Sequence, residues 1–196
     1  YKVDGDYLNL EKHKAKLQIS VLGIPIQIKK SFYISIYGPT LKNRSGFYAL
    51  RTPALFEIRA LEQWWRMNKA NNFTEFYNAL KMKAIPGYNI GYADKNDTIF
   101  YISNGLIPKR AKGYNWAEVV PGNTIETLWK ETYDIEELPQ VIQPKSGYIY
   151  NANHTPFRSS YKDDNPNEKL FDTAMGFETY DNNRSLRIKT LIDQYD

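Results

Sequence analysis

The chain has 196 residues, of which 42% are hydrophobic and 15% aromatic, so it carries enough apolar material to build a core. It contains no cysteine, which excludes disulfides, thiol catalysis and cysteine-ligated zinc. No stretch has the length and apolar character of a transmembrane segment. The formal net charge is +4, but the basic residues form short scattered runs, so we expect a solvated surface rather than a nucleic-acid-binding one. We treat residues 1–196 as a single domain.

The first part of the chain shows the alternation of half-buried strands. Apolar and polar residues alternate over residues 15–22 and again over 26–36, and the turn residues Gly23-Ile24-Pro25 between them indicate a hairpin. We expect the Gly38-Pro39 pair to end the second strand. Residues 46–51 then predict a third strand.

The middle of the chain changes to helical spacing. Apolar residues recur every three or four positions over residues 54–69, with Pro53 near the start, where its missing N–H is tolerated. A second helix follows, with Asn72 or Thr74 as its cap, and Pro86-Gly87 ends it.

The rest of the chain mixes short elements with loops. The predicted elements are strands over 88–94, 98–103 and 147–150, a long ordered loop over 104–144, a polar loop over 161–169, and a helix over 181–195 capped by Asn182 or Asn183. The order of strands, helices, strands, loop and helix predicts an α+β fold.

Several kinds of catalytic site are not available to this sequence. The chain has only two histidines, His13 and His154, which cannot build a histidine-rich zinc site. Neither histidine is accompanied by a Gly-x-Ser-x-Gly nucleophile motif, and the glycine-rich phosphate-binding motifs are missing.

The segment Asn151-Ala-Asn-His-Thr-Pro156 is different because it gathers amide side chains directly after a predicted strand. An asparagine amide can donate a hydrogen bond to a developing oxyanion, an interaction worth roughly 3 kcal/mol. The alternative interpretation is a polar strand-to-loop turn, since asparagine also favours turns.

Several short motifs, taken together and in order, resemble the β-chain of the penicillin acylase family, which includes cephalosporin and acyl-homoserine-lactone acylases. The similar segments over about residues 30–192 are Tyr37-Gly-Pro39, Leu61–Ala70 with Phe73–Phe76, Pro86–Asp94, Asn104–Arg110, Val120-Pro-Gly122 with Trp129, Glu137-Leu-Pro139 and Gln143–Ile149. Each motif alone is weak, and their order and spacing carry the resemblance.

The resemblance implies specific roles for two residues. The family's oxyanion-hole asparagine corresponds to Asn153, and the arginine that orients the surroundings of the nucleophile corresponds to Arg184, with Arg187 as a second candidate. The resemblance also implies that the nucleophile is the hydroxyl of a chain-starting serine whose own α-amino group acts as base. Residue 1 is tyrosine, so we expect that serine to lie on an upstream segment and this chain alone to be inactive.

The resemblance has further implications for fold and partners. It implies part of the αββα fold of N-terminal-nucleophile hydrolases, in a precursor that also supplies an α-chain and the N-terminal part of the β-chain. The implied substrate is a small acyl amide, and the implied location is the bacterial periplasm or the outside of the cell. We expect no cofactor in this chain. Some members bind calcium, for which Asp163 or Asp164 is the candidate ligand, but calcium takes about six to eight oxygens.

Two rival functions are compatible with parts of the sequence. A non-catalytic module that binds sugars or peptides through exposed aromatics such as Trp116 and Trp129 would explain the aromatic content. The interpretation as a basic nucleic-acid-binding protein rests only on the pI of about 9.0.

Overall fold

The computed structural model describes residues 1–194, apart from the side chains of Ala54 and Phe56. The strands are β1 (Lys2–Val3), β2 (Asp6–Tyr7), β3 (Glu11–Val21), β4 (Ile24–Ser35), β5 (Gly38–Asn43), β6 (Gly46–Ala49), β7 (Tyr88–Ala93), β8 (Ile99–Asn104) and β9 (Gln140–Ile142). The α-helices are α1 (Ala60–Lys69), α2 (Phe73–Leu80) and α3 (Asn183–Ile192). The strands form antiparallel sheets in the orders β1-β2, β3-β4-β5-β6 and β7-β8-β9, which confirms the α+β prediction.

The predicted hairpin is present, and it is longer than the alternation alone indicated. Strands β3 and β4 pair over eleven residue pairs, from Glu11 opposite Ile34 to Val21 opposite Ile24. The prediction that these strands are half-buried is wrong, because both faces are exposed along most of their length. The alternation correctly sorts apolar from polar side chains, but no element in the described part of the chain covers the apolar side.

The Gly38-Pro39 pair begins a strand instead of ending one. Gly38 has a φ of +128°, and a Cβ atom there would lie 2.5 Å from the Leu50 carbonyl oxygen, so a side chain does not fit. Pro39 lacks an N–H, but its carbonyl accepts a hydrogen bond from the Leu50 amide at 2.8 Å. Strand β5 therefore follows β4 directly, and the predicted third strand is its partner β6.

The predicted helix over 54–69 is only partly correct. A 3₁₀ turn occupies Pro53–Phe56, and the α-helix begins at Ala60. Between them the Glu57 carboxylate accepts the Arg59 backbone amide at 2.9 Å and pairs with the Arg59 guanidinium at 2.6 Å. This local contact competes with helical hydrogen bonding and separates the two segments.

The core lies where α1 and α2 pack on the sheet β7-β8-β9. Asn72 caps α2 by accepting the Glu75 amide at 2.9 Å, which confirms one of the two predicted caps. The buried apolar side chains of this core are Met67, Phe76, Ala79, Leu80, Ile85, Ile90, Phe100, Ile102, Ile135 and Leu138. Rings of Phe73, Tyr77 and Tyr92 pack at its edge, with centroids 5.1 Å apart for Phe73 and Phe100.

The predicted strand pair is present as β7 and β8, and the predicted polar turn over 94–97 joins them. The Asp94 carboxylate accepts the backbone amides of Asn96 and Thr98 at 2.9 and 3.1 Å. The long loop over 104–144 is confirmed except for β9, which was not predicted and which pairs with β8.

The predicted strand over 147–150 is wrong. This segment joins no sheet ladder in the described structure. The Tyr150 amide donates to the Ser159 carbonyl at 2.8 Å, which ties the segment to a loop instead.

The polar loop over 161–169 contains short 3₁₀ turns at Lys162–Asp164 and Glu168–Leu170. The predicted C-terminal helix is present as α3, with Asn182 as its cap, while its predicted last residue, Tyr195, lies outside the described residues.

Candidate active site

The segment that gathers amide side chains forms a tight loop held by its own polar groups. Asn153 has a φ of +53°, in the left-handed region that asparagine tolerates better than most residues. Its backbone amide donates to the Asn151 side-chain oxygen at 2.7 Å. The Ala152 amide donates to His154 Nδ1 at 3.2 Å, so both sides of the turn are fixed by local contacts.

Helix α3 holds this loop from the other side through its cap residue. The Asn182 side-chain oxygen accepts the backbone amides of Arg184 and Ser185, both at 3.0 Å. Its amide nitrogen donates to the carbonyls of Ala152 and Asn153, at 2.9 and 3.0 Å. One side chain therefore both starts the helix and positions the loop.

The structure brings the two predicted site residues together. An Arg184 guanidinium nitrogen donates to the Asn153 side-chain oxygen at 3.2 Å. Because guanidinium only donates, the Asn153 atom it contacts is the oxygen, and this fixes the orientation of the amide. The Asn153 NH₂ group is exposed and finds no acceptor among the described residues, so it is available to a ligand.

The second arginine candidate is placed differently. Arg187 is one turn further along α3 and exposed, and within residues 1–194 it makes no hydrogen bond to the Asn153 loop. The structure therefore distinguishes two arginines that the sequence left as alternatives.

Asn153 opens onto a small cavity of about 300 Å³. Its lining includes Asn89 of β7, Ser103 of β8, and His154, Phe177 and Glu178. Asn89 also donates to the Asn151 side-chain oxygen at 3.4 Å, so β7 contributes to holding the loop. Sequence reasoning did not single out Asn89, although it lies in the Pro86–Asp94 segment that carries the resemblance.

His154 is structural in this arrangement. It is buried, it stacks on Tyr150 with ring centroids 4.9 Å apart, and its Nδ1 accepts the Ala152 amide. Its Nε2 must then donate to the Arg158 carbonyl, 2.9 Å away. Both ring nitrogens are engaged, so His154 cannot serve as a general base without breaking the loop.

Burial at this site also affects a tyrosine. Tyr150 lies beneath the imidazole of His154, and its burial, with a smaller contribution from the Asp181 charge, raises the pKa of its phenol to about 12. Tyr150 is therefore a neutral hydroxyl at physiological pH and adds no charge near Asn153.

Of the two calcium candidates, Asp164 is engaged with the backbone in the described structure. Asp164 accepts the backbone amides of Ser146 and Lys145, both at 2.9 Å, and these hydrogen bonds lower the pKa of its carboxyl. Within residues 1–194 no cluster of three or more His, Cys, Asp or Glu side chains is arranged to hold a metal ion. Asp164 instead anchors the 145–146 turn.

The two tryptophans named for sugar binding each have one ring face covered. The Arg51 guanidinium lies 4.2 Å from the centre of the Trp129 ring, and the Arg110 guanidinium lies 5.6 Å from that of Trp116. The Trp116 ring nitrogen also donates to the Ala111 carbonyl at 2.9 Å. The contacts of Trp116 lie within the long loop, whereas that of Trp129 joins the loop to Arg51, and both leave less ring surface for a ligand.

The chain is similar to known proteins of one family. The family model of penicillin amidases matches residues 1–196. Penicillin G acylase of Escherichia coli is 36% identical over 100 residues, covering 51% of this chain and 12% of that protein. An acyl-homoserine lactone acylase, PvdQ, of Pseudomonas fluorescens (strain Pf0-1) is 26% identical over 117 residues, covering 55% of this chain and 15% of that protein.

A solved structure shares the fold. A thermostable penicillin G acylase from Alcaligenes faecalis superimposes with a TM-score of 0.69 at 21% identity, over 86% of this chain and 31% of that chain. The α+β architecture is thus shared with part of that penicillin G acylase. The chain belongs to the penicillin amidase family. It spans 12% and 15% of the length of the two curated relatives above. In the described part of the chain, no helix is both long enough and apolar enough to cross a membrane.

Proposed function

We propose that this chain is part of an acylase that hydrolyses the linear amide bond between an acyl group and an amine. In this proposal Asn153 stabilises the oxyanion and Arg184 holds Asn153 and acts on the base. Family membership supports the reaction class, and the 3.2 Å contact between Arg184 and Asn153 is the observation that carries the assignment of roles.

The role of Asn153 follows from the chemistry of amide hydrolysis. Attack on the carbonyl produces a tetrahedral intermediate with a negative oxygen, and a fixed N–H donor aimed at that oxygen lowers the barrier. Asn153 offers such a donor, because its oxygen is occupied by Arg184 while its NH₂ group remains exposed. The left-handed turn and the Asn182 contacts fix its direction before substrate arrives.

In this proposal Arg184 has two effects, one on the orientation of Asn153 and one on the charge state of the base. Its guanidinium orients the Asn153 amide, and its positive charge disfavours protonation of a neighbouring α-amino group. An α-amino base has an ordinary pKa of about 8, so a nearby cation increases the neutral, proton-accepting fraction at physiological pH.

The nucleophile belongs to another part of the same precursor in this proposal. A chain-starting serine would supply both the attacking hydroxyl and the amine base. The partners are therefore the remaining segments of the precursor, an α-chain and the N-terminal part of the β-chain. The substrate is a small N-acyl amine or β-lactam side-chain amide, and the location is periplasmic or secreted.

The test uses the full-length product of the gene and two substitutions of Asn153. Asn153→Asp keeps the size and the tolerance for a left-handed φ but replaces the N–H donor by a carboxylate. Asn153→Gly removes the amide and relieves the backbone. We expect both to lower kcat for phenylacetyl and fatty-acyl amides by roughly 10²- to 10³-fold, the usual cost of one oxyanion donor.

The matched control is Asn123→Asp, at an exposed asparagine in the 121–124 loop. It should leave kcat unchanged, and circular dichroism should show all three variants folded. Wild-type kcat in folded Asn153→Asp and Asn153→Gly would remove Asn153 from the mechanism.

A further inference from the structure

The long hairpin carries an apolar face that nothing in the described structure covers. The register places Leu17 opposite Ile28, Ile19 opposite Ile26, and Val21 opposite Ile24. Alternate residues of a strand point to the same side, so these six side chains form one continuous surface, the apolar hairpin face. Their exposed fractions run from 41% for Leu17 to 65% for Ile24.

Such a surface is unusual for a protein that folds by itself. Soluble proteins rarely expose contiguous apolar patches beyond roughly 300–600 Å², and larger ones mark interaction sites. Phe32 and Ile34, exposed at 38% and 39%, extend the same side of β4 toward the base of the hairpin. Glu11, His13 and Lys30 interrupt this side near the base, so the part that needs an apolar partner is the six-residue face itself.

The opposite face of the same hairpin is polar and basic. There Lys16 lies opposite Lys29, Gln18 opposite Gln27, and Lys14 opposite Ser31. A hairpin that lies on an anionic bilayer needs its cations at the border of the apolar surface. Here four of the five lysines of the two strands project away from it, and only Lys30, opposite Ala15, lies on its side. This distribution favours a protein surface over a lipid surface.

The charges also indicate how the partner approaches. Strand β3 lies at the edge of its sheet. It carries a lysine at every second position over Lys12, Lys14 and Lys16. Lysines on an edge strand discourage the addition of a further strand. The partner therefore packs face to face, as one sheet packs on another at a spacing of about 10 Å.

We propose that the apolar hairpin face is the docking surface for an apolar sheet or helix face from another segment of the same acylase precursor. The superimposed acylase supports this occupant, because this chain accounts for only 31% of that chain. The inference rests on the proposed function only in assigning the chain to a longer precursor, and it concerns a contact and not the chemistry.

A photocrosslinking experiment tests the occupant directly. The photoreactive amino acid p-benzoylphenylalanine replaces Ile19 in the full-length gene product, and, as a control, Gln18, its neighbour on the opposite face. After illumination, mass spectrometry should find crosslinks from position 19 to precursor residues outside the 196, and several-fold fewer from position 18. Crosslinks only to a second copy or to lipid, or equal yields at both positions, would overturn the proposal.

A pair of charge substitutions provides an independent measurement. Ile19→Lys with Ile26→Lys places two cations on the apolar hairpin face, whereas Gln18→Lys with Gln27→Lys places them on the other face. The first pair should lower the Tm of the full-length product by several degrees and the second should not. Equal Tm values would contradict the proposal. Asn153→Asp should keep the position-19 crosslinks, which separates this test from that of the proposed chemistry.

Discussion

At the residue scale, the site depends on which atoms of Asn153 are already engaged. A guanidinium has no acceptor, so its contact with Asn153 identifies the amide oxygen and leaves the NH₂ group outward. His154, which a search for a catalytic histidine would select, is committed on both ring nitrogens. The exposed polar group here is an asparagine amide, which suits stabilisation of an anion and not proton transfer.

Arg184 gives a prediction about pH. Removing its charge with Arg184→Gln should raise the pKa of a neighbouring α-amino base, because the protonated form no longer meets a like charge. The base works only when neutral, so the acidic limb of the kcat/KM profile should move to higher pH. The profile of the full-length product measures the shift, and Arg187→Gln, on the same helix, serves as control. Coincident profiles for Arg184→Gln and wild type would show that Arg184 does not act on the base.

At the element scale, the Asn182 side chain joins the start of α3 to the backbone of the Asn153 loop. Asn182→Asp keeps the cap acceptor but loses the donor to the Ala152 and Asn153 carbonyls, whereas Asn182→Ala loses both functions. Both variants should lower kcat, because the backbone of the loop loses its two hydrogen bonds from Asn182. Only the alanine variant should also lose cap stability, about 1 kcal/mol. Kinetic assays together with denaturant unfolding separate the loss of activity from the loss of stability. A wild-type kcat in the folded Asn182→Asp variant would show that the Asn182 contacts with the loop do not matter for activity.

A second element-scale prediction concerns the join between α1 and the core. Gln63 is fully buried, and its side-chain oxygen accepts the backbone amides of Ala84 and Ile85 at 2.6 and 3.1 Å. Gln63→Met fills similar volume but leaves these two N–H groups without an acceptor, at a cost of roughly 1–3 kcal/mol each. Chemical denaturation should show this loss. The control Lys69→Met, on the exposed side of α1, should have a free energy of unfolding within roughly 0.5 kcal/mol of wild type. An equally small change for Gln63→Met would contradict this prediction.

Local signals predicted much of the secondary structure. The caps Asn72 and Asn182, the β3-β4 hairpin and the Asp94 turn each depend on residues a few positions apart, which one sequence displays. The elements that were missed depend on distant partners. Strand β9 exists because it pairs with β8, some forty residues earlier, and the strand predicted over 147–150 fails because no ladder partner lies beside it in the described structure.

The same distinction between local signals and distant contacts applies to the site. The resemblance gave Asn153 and Arg184, but neither spacing nor composition could show that they touch, since 31 positions separate them. The second role of Asn182, on the loop carbonyls, was equally invisible, because a cap motif describes only the helix it starts. The choice between Arg184 and Arg187 likewise required the geometry of α3.

At the scale of the whole molecule, burial is uneven. The core between α1, α2 and the β7-β8-β9 sheet is closed, with Leu80, Phe100 and Ile102 fully buried. The long hairpin is exposed, so its alternation correctly predicts strands but not burial. The same distribution is compatible with the proposal above, in which this chain is part of a larger acylase, Asn153 is an oxyanion donor and the nucleophile belongs to another segment. We therefore expect the 196-residue chain alone not to hydrolyse phenylacetyl or fatty-acyl amides.

The most direct test of the central claim is a crystal structure of the full-length product with a covalent transition-state analogue, such as a phenylmethylsulfonyl group, on its nucleophile. The account predicts that an oxygen of the adduct accepts a hydrogen bond from Asn153 Nδ2 at about 2.7–3.1 Å, with Arg184 still on the Asn153 oxygen. An adduct whose oxygens are bound by other donors, with Asn153 directed into solvent, would contradict it.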